Sequence, residues 1–271
     1  MIRVALTIAG SDSSGGAGIQ ADLKTFSALG VYGASAITAL TAQNTTGVSG
    51  VHAPAADFVG QQIDSVLDDL DVRAIKTGML FSAAIAASVA TSLDRRPHIP
   101  LVLDPVMVAT SGDALIQQDA VATIIQRLFP RALLITPNLA EAAFLTGQSP
   151  ARDLLEMEAQ GRALLSRGAR AVLVKGGHSA GSDAIDLLVR PDGVESFSAR
   201  RIDTQNTHGT GCTLSAAIAA FLAHGDELES AVAKAKAYLT KALEAARDLK
   251  LGHGAGPVHH FFAQWARGVS P

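Results

Sequence analysis

Short apolar runs alternate with helical patterns along much of the chain, and this alternation constrains the fold more than any other feature. Gly, Pro or Asp bound the runs, which is typical of strands buried on both faces of a sheet. The runs are Val4–Ala9, Ala34–Leu40, Leu101–Leu103, Ala132–Ile135 and Ala171–Val174. Helical patterns occur at Gly18–Leu29, Ala55–Leu70, Ala83–Leu93, Ala120–Leu128 and Asp153–Arg167. Alternating strands and helices predict an α/β fold whose central sheet is mostly parallel and doubly wound.

The pattern changes after Lys175. The runs Ala184–Val189 and Val194–Ser198 flank a Pro-Asp-Gly turn, which predicts an antiparallel hairpin at an edge of the sheet. Two Ala-rich helices are expected next, at Cys212–His224 and Leu228–Leu249. Since no internal repeat or linker is visible, we expect residues 1–271 to form a single domain.

Composition and charge restrict the partners of the chain. A formal net charge of −3 and an isoelectric point near 6.2 give no broad attraction for nucleic acid or an anionic membrane, so small molecules are the expected ligands. The single cysteine, Cys212, excludes an intrachain disulfide and a thiolate metal cluster, and it fits a reducing compartment. The apolar window Phe81–Ala90 is too short for a membrane span, and no signal peptide is visible. The sequence therefore predicts a cytoplasmic protein.

A glycine-containing loop, Asn-Thr-His-Gly-Thr-Gly-Cys-Thr at 206–213, opens the first Ala-rich helix. Gly209, Thr210 and Gly211 can turn backbone N–H groups towards one point, and the helix adds its positive dipole end, so we expect an anion to bind there. Cys212 falls in the first helical turn, where the pKa of a thiol decreases and a thiolate can accept a proton. It is therefore a candidate base, and a buried structural cysteine is the alternative.

Five other segments, together with this loop, carry a resemblance to a known family. They are Ala-Gly-Ser-Asp-Ser-Ser-Gly-Gly-Ala-Gly-Ile-Gln-Ala-Asp at 9–22, Ala-Leu-Thr-Ala-Gln-Asn-Thr at 39–45, Lys-Thr-Gly-Met-Leu at 76–80, Asp-Pro-Val-Met-Val-Ala-Thr-Ser-Gly at 104–112 and Val-Lys-Gly-Gly-His at 174–178. Gly-Thr-Gly before a helix resembles the anion hole of the ribokinase-like superfamily, where Asp usually occupies the position of Cys212. With cysteine there, the chain closely resembles the hydroxymethylpyrimidine/phosphomethylpyrimidine kinase family over nearly its whole length.

This resemblance implies a three-layer ribokinase-like α/β fold with a mostly parallel central sheet and an antiparallel edge. It implies a homodimeric kinase of thiamine biosynthesis that uses ATP and Mg²⁺ to phosphorylate 4-amino-5-hydroxymethyl-2-methylpyrimidine and then its monophosphate. A pyridoxal/pyridoxine kinase is the nearest alternative, and a non-catalytic nucleotide or vitamin sensor is an alternative from another class. A dinucleotide-binding function is disfavoured, because the glycines from Gly10 to Gly18 do not have the Gly-x-Gly-x-x-Gly spacing of that class of site.

The resemblance also assigns the acceptor pocket. It places the turn at Gly10 there and gives Gln43 the contact with the aminopyrimidine edge, for which an amide supplies both a donor and an acceptor. A solvent-exposed strand end is the alternative for Gln43. Met79 and Val106 would line the pocket, although periodicity alone makes them core residues. Asp22 either faces the pocket or supplies a negative charge to a helix N-terminus.

The nucleotide side is assigned partly from the residues themselves and partly from the resemblance. Lys175 ends a strand before two glycines and suits nucleotide phosphates, with a solvated strand-end lysine as the alternative. Asn138 and Glu141 resemble the superfamily's Asn-x-x-Glu element, which is associated with ATP and hydrated Mg²⁺, and they also fit a helix-capping pair. Asp104 is expected to need a metal or phosphate-linked network, because no charge partner lies nearby in the sequence. His208 is either a phosphate contact or a structural residue.

Overall fold

Nine strands form one sheet within the residues that the computed structural model describes, which are 2–107, 117–177 and 182–265. The strands are β1 (Arg3–Asp12), β2 (Val31–Asn44), β3 (Gly47–His52), β4 (Val72–Thr77), β5 (Leu101–Leu103), β6 (Leu134–Ile135), β7 (Val172–Lys175), β8 (Asp183–Arg190) and β9 (Gly193–Arg200). Their spatial order is β3-β2-β1-β4-β5-β6-β7-β8-β9.

Strand direction follows the predicted arrangement. All neighbouring pairs from β2 to β7 are parallel, and β8 and β9 extend β7 as an antiparallel hairpin. The mostly parallel sheet with an antiparallel edge is therefore confirmed. At the opposite edge β3 pairs antiparallel with β2, which the sequence analysis did not predict.

The helices form a layer on each face of the sheet. They are α1 (Gly18–Ala28), α2 (Ala56–Asp69), α3 (Ala83–Asp94), α4 (Gln118–Thr123, continued by a π-helical turn at Ile124–Leu128), α5 (Leu139–Thr146), α6 (Leu154–Leu165), α7 (Thr210–His224) and α8 (Leu228–Ala246). Helices α1, α7 and α8 cover one face, and α2 to α6 cover the other. None of the helices described is long and apolar enough to cross a membrane.

Alternation along the strands explains the two apolar layers. In β5, Leu101 and Leu103 pack in the cluster that contains α2 and α3, whereas Val102 packs in the cluster that contains α7. Successive side chains of a strand point to opposite faces, so a strand covered on both sides must be apolar throughout. This explains why continuous apolar runs marked five of the strands correctly. In β4 the charged residues Arg73 and Lys76 interrupt the apolar sequence, so the sequence analysis did not predict this strand.

One edge of the sheet collects the functional groups. Because β1, β4, β5 and β7 are parallel, their carboxyl ends lie at the same edge. The residues at or directly after these ends are Asp12, Thr77, Asp104 and Lys175. Ligands of open α/β sheets bind at this edge.

Asp22 of α1 and Lys76 of β4 form an ion pair inside the core. Lys76 Nζ lies 2.9 and 2.8 Å from the two carboxylate oxygens of Asp22, and the Thr7 hydroxyl donates to the same carboxylate at 2.6 Å. Both charged side chains are fully buried. Burial alone would lower the pKa of Lys76, but the Asp22 carboxylate raises it above its usual value. Burial raises the pKa of Asp22 above its usual value, and the Lys76 ammonium reduces this rise. We assign both groups as charged because the ammonium contacts both carboxylate oxygens.

Lys76→Met should destabilise the protein by about 3–5 kcal/mol, because it leaves the Asp22 carboxylate buried without its partner. The double variant Asp22→Asn/Lys76→Met should recover much of this loss, since it removes the unpaired charge. Urea unfolding measures both changes.

Lys234→Met is the matched control, because Lys234 forms an ion pair with Asp226 at 2.6 Å while half of its side chain is exposed to solvent. We expect a change below about 1 kcal/mol there. Equal destabilisation by Lys76→Met and Lys234→Met would contradict the proposed contribution of the buried pair.

Candidate active site

A cavity of about 1480 Å³ runs along the carboxyl edge of the sheet. It brings together almost all the residues nominated from the sequence, although they come from distant parts of the chain. Those lining it are Gly10, Gln43, Met79, Asp104, Val106, Asn138, Glu141, Lys175, Gly209, Thr210, Gly211 and Cys212. Two of the family-like segments extend beyond the described residues: 108–112 of the segment 104–112, and His178 of the segment 174–178.

Asp22 is the nominated residue that does not line the cavity. Its carboxylate is fully buried in the ion pair with Lys76, and it is Lys76 that reaches the cavity wall. Neither sequence interpretation of Asp22 described this position. The sequence did contain a signal for this pair: Lys76 is a charged residue that directly follows two apolar residues and precedes Thr77, where the strand ends.

One side of the cavity combines apolar and amide groups. Met79 packs with Ala39, and Val106 lies against them at the cavity wall. A Cβ atom at Gly10 would lie 3.0 Å from the Met79 sulfur, so glycine keeps this wall open. Gln43 lies at the end of β2, where its Oε1 is 3.0 Å from the Thr41 hydroxyl. This side can hold a flat heterocycle with a polar edge.

The other side is the start of α7. Gly209 precedes the helix with φ +78°, a conformation that favours glycine, and α7 begins at Thr210. The backbone N–H groups of Gly211 and Cys212 therefore lie in the first turn of the helix, where no preceding helical carbonyl accepts from them. The positive end of the helix dipole lies at the same place. A Cβ atom at Gly211 would lie 3.2 Å from Lys175 Nζ, so a cation stands beside these amides. This arrangement suits a phosphate group.

Cys212 does not have the lowered pKa expected from its helical position. The side chain is partly buried, and burial raises the pKa of its thiol to about 11, although Lys76 and a hydrogen bond from the Gly18 N–H act in the opposite direction. The carboxylates of Asp22 and Asp104 raise it further. The prediction of a lowered pKa was wrong because it considered the helix terminus and not the burial of the thiol, which disfavours the thiolate. At neutral pH the thiol is protonated.

Asp104 has a protein partner that the sequence did not reveal. Lys175 Nζ lies 2.8 Å from its Oδ1, and the hydroxyls of Thr136 and Ser215 donate to its carboxylate at 3.0 and 3.3 Å. Burial opposes ionisation of Asp104, but Lys175 and Lys76 lower its pKa below the usual value. A metal or phosphate network is thus not required to compensate this charge, contrary to our expectation.

Asn138 and Glu141 form the predicted helix cap. The Glu141 N–H donates to Asn138 Oδ1 at 2.9 Å, and the Asn138 N–H donates to Glu141 Oε2 at 2.8 Å, which is a complete capping box at the start of α5. Burial raises the pKa of Glu141 to about 7; Lys175 opposes this rise and Asp104 adds to it. The described residues contain no group of three or more side chains arranged as a metal site. Two carboxylates that repel each other nevertheless suit a hard cation that keeps most of its water ligands.

Two further buried residues, Asp12 and His208, contact each other in the site. The sequence analysis gave Asp12 no role and left His208 as either a phosphate contact or a structural residue. Asp12 ends β1, and its Oδ2 lies 2.8 Å from Nε2 of His208, which belongs to the loop before α7. Both side chains are more than nine-tenths buried. The run Ser-Asp-Ser-Ser-Gly-Gly at 11–16 carried a signal for Asp12, since an Asp before Ser and Gly often binds the following backbone N–H groups. His208 had no comparable signal.

Known proteins resemble the chain in sequence over almost its full length. A family model described as phosphomethylpyrimidine kinase matches residues 12–259. A hydroxymethylpyrimidine/phosphomethylpyrimidine kinase of Rhizobium meliloti is 58% identical over 265 residues, which cover 98% of this chain and 99% of the relative. The protein of the same name from Escherichia coli is 54% identical over 261 residues, covering 96% and 98%.

Solved structures agree with this relationship. A phosphomethylpyrimidine kinase of Clostridium difficile is 43% identical with a TM-score of 0.79, covering 90% of this chain and all of the other. A pyridoxal kinase of Bacillus subtilis, solved as an ADP complex, is 36% identical with a TM-score of 0.88, covering 96% and 98%. These neighbours confirm the ribokinase-like fold, and the match of the family model to nearly the whole sequence establishes that the chain belongs to the phosphomethylpyrimidine kinase family.

Proposed function

We propose that this kinase transfers the γ-phosphoryl group of ATP to the hydroxymethyl group of 4-amino-5-hydroxymethyl-2-methylpyrimidine, and then a second phosphoryl group to the monophosphate. The observation that carries this proposal is that Gln43 and the start of α7 line the same cavity. An acceptor and a nucleotide bound there would lie next to each other. Phosphoryl transfer depends mainly on such positioning and on stabilisation of charge.

Acceptor recognition is proposed for Gln43, Gly10, Met79 and Val106. The Gln43 amide can accept from the exocyclic amino group of the pyrimidine and donate to the neighbouring ring nitrogen. Met79 and Val106 supply apolar contacts for the ring, and Gly10 leaves room for it. A site of this kind discriminates well, because an acceptor that lacks the matching groups leaves buried polar atoms unpaired.

The transferred phosphoryl group is proposed to bind at Gly209, Thr210 and Gly211. Their backbone N–H groups and the helix dipole stabilise negative charge there. The Lys175 ammonium lies beside the same turn and is proposed to contact the phosphates of ATP. Asn138, which lines the cavity at the start of α5, is proposed as a further nucleotide contact.

Glu141 and Asp104 are proposed to hold hydrated Mg²⁺ together with the phosphates. When bound, the ion would neutralise part of the negative charge of ATP. Support comes from the raised pKa of Glu141, which results from burial and from its proximity to the Asp104 carboxylate. A divalent cation between the two groups would favour the ionised form of both.

Cys212 is proposed to take the proton of the hydroxymethyl group as its oxygen attacks the γ-phosphoryl group. Because the pKa of the thiol is raised to about 11, Cys212 must first lose its own proton, and only a small ionised fraction acts at neutral pH. In the second reaction the acceptor is a phosphate oxygen that is already ionised. That reaction needs no comparable base.

Pyridoxal is a second candidate acceptor, because structural neighbours with TM-scores of 0.87 and 0.88 are described as pyridoxal kinases. A product-resolved assay with ATP and Mg²⁺ should compare the hydroxymethylpyrimidine, its monophosphate and pyridoxal. We expect the two pyrimidines to be phosphorylated more efficiently. A higher kcat/KM for pyridoxal would overturn the proposed acceptor.

A homodimer is also proposed. Support comes from the antiparallel edge formed by β2 and β3, where Leu40 and Val51 are exposed to solvent. Exposed apolar residues on an edge strand favour pairing with another surface. The molar mass in solution, measured by light scattering, tests this assembly.

Gln43→Ala should reduce kcat/KM for the pyrimidine by about 10–100-fold, equivalent to about 1–3 kcal/mol, because the aminopyrimidine edge loses its hydrogen-bonding partner. The KM for ATP should be unchanged. Gln61→Ala is the matched control, since Gln61 lies on the exposed face of α2. Unchanged efficiency of Gln43→Ala would exclude a recognition role.

Glu141→Gln should raise the Mg²⁺ concentration needed for half-maximal activity. In the parent protein this concentration should also increase as the pH falls from 8 to 6, because protons compete with Mg²⁺ for a carboxylate whose pKa is about 7. The variant should lose that part of the pH dependence.

Glu158→Gln serves as the control for this titration, because Glu158 forms its ion pair with Arg162 on the surface of α6. Its Mg²⁺ titration should match that of the parent protein. If Glu141→Gln also matches the parent at every pH, Glu141 does not bind the ion.

Cys212→Ala should reduce phosphorylation of the alcohol by about 10²–10⁴-fold, and phosphorylation of the monophosphate by less. In the parent protein the rate with the alcohol should increase with pH from neutral towards 11, as the thiol ionises, and the variant should lose this increase. Both reactions are measured at saturating ATP. Equal fractional losses would indicate that Cys212 packs the helix start or shapes the anion site, and would refute its role in proton transfer.

A further inference from the structure

Two loops from opposite ends of the chain meet between the acceptor side and the phosphate side of the cavity. The first, residues 12–18, runs from the last residue of β1 to the first residue of α1, and the second, residues 206–212, ends in the first turn of α7. A Cβ atom at Gly209 would overlap the carbonyl oxygen of Gly16, and a Cβ atom at Gly16 would overlap the imidazole of His208. The two backbones are therefore in direct contact.

Asp12 organises the first loop from within. Its Oδ1 accepts from the backbone N–H and the hydroxyl of Ser14, at 2.8 and 2.7 Å. Its Oδ2 accepts from the N–H groups of Gly16 and Ala17, at 3.1 and 2.8 Å. Burial opposes ionisation, yet the hydrogen bonds from His208 and Ser14 lower the pKa of Asp12 below its usual range. The loop therefore has an ionised carboxylate at its centre.

His208 connects this carboxylate to the second loop. Its Nε2 lies 2.8 Å from Asp12 Oδ2, and because an ionised carboxylate can only accept, Nε2 must carry the hydrogen. The backbone N–H of His208 donates to the Gly256 carbonyl at 3.0 Å, which holds the second loop from behind. A charge-assisted hydrogen bond between buried groups is stronger and more directional than a neutral one.

The loops also meet at the reacting groups. The N–H of Gly18, the last residue of the first loop, donates to the Cys212 thiol. Gly18 and Gly10 lie on the acceptor side, whereas Gly211 and Cys212 begin α7 on the phosphate side. A displacement of one loop relative to the other would thus change the distance between acceptor and phosphoryl group.

We propose that Asp12 and His208 are positioning residues whose hydrogen bond, the loop clamp, holds the acceptor in line with the phosphoryl group. Asp12 and His208 also line the cavity, and His208 Nε2 lies 3.5 Å from Gln43 Nε2, so the clamp borders the amide proposed to recognise the acceptor. This inference rests on the proposed function, since it concerns alignment for phosphoryl transfer. The bonds from Ser14, Gly16 and Ala17 to Asp12 do not involve His208, so a change at His208 separates alignment from folding of the first loop.

His208→Gln and His208→Met form a matched pair for the test. The two side chains have nearly the same shape, but only glutamine retains an N–H donor that can reach Asp12. We expect His208→Met to reduce kcat for the pyrimidine by about 10–100-fold, because a displacement of about 1 Å costs up to about 100-fold. His208→Gln should stay within about fivefold of the parent protein. The dissociation constant for ADP should change less than about twofold in both.

Ser14→Ala is the control for a local change in the first loop. It removes the hydroxyl bond to Asp12 Oδ1 and leaves the His208 bond to Oδ2 intact, so its kinetics should match those of the parent protein. Equal kcat values for His208→Gln and His208→Met would overturn the clamp. So would a parallel loss of ADP affinity in His208→Met, which would indicate general disruption of the second loop.

Hydrogen exchange of the protein without substrates supplies a readout that does not depend on the acceptor. Backbone amides at 12–18 and 206–212 should exchange at least about tenfold faster in His208→Met than in His208→Gln. Equal exchange in the two variants would overturn the clamp. If the parent protein phosphorylates pyridoxal and not the pyrimidine, the proposed acceptor is wrong, and this exchange comparison still decides whether the clamp exists.

Discussion

The balance of buried charge at the carboxyl edge of the sheet is the constraint on which the rest of the site depends. Five carboxylates are buried around this edge, and they belong to Asp12, Asp22, Asp104, Glu141 and Asp186. Lys76 pairs with Asp22, Lys175 with Asp104 and Lys236 with Asp186, and His208 is bonded to Asp12. Among the ion pairs described, Glu141 is thus the buried carboxyl group of this set without a basic side chain in direct contact. The carboxyl group left over is the one whose pKa is raised to about 7. Charge pairing inside the protein thus determines which group is available to an added cation.

Much of the fold could be predicted because buried strands and amphipathic helices leave periodic patterns. The run Leu101–Leu103 matched β5 without any shift, and the turn at Pro191 to Gly193 correctly marked the hairpin of β8 and β9. Strand β4 was missed because Lys76 interrupts its apolar pattern. A lysine within a buried strand is explained only by Asp22, which is 54 residues away and comes close through tertiary packing.

The candidate site shows the same division between local and distant effects. The Asn138–Glu141 cap was predictable because both partners lie within one helical turn. The raised pKa of Cys212 was not, because it results from burial in the folded protein and from the carboxylates of Asp22 and Asp104, which belong to other elements of the fold. The contact between Asp12 and His208 joins residues 196 positions apart, so spacing in the sequence carries no signal for it. Local chemistry identified the participating residue types, and the topology determined how they interact.

The backbone contact between Gly16 and Gly209 has a consequence for how this enzyme can change during evolution. Any residue other than glycine at either position adds a Cβ atom that overlaps the opposite loop. We therefore expect a replacement of either glycine to displace one loop relative to the other, whatever the chemistry of the new side chain. Changes that keep the spacing between the two loops are available at other positions that line the cavity, such as Met79 and Val106.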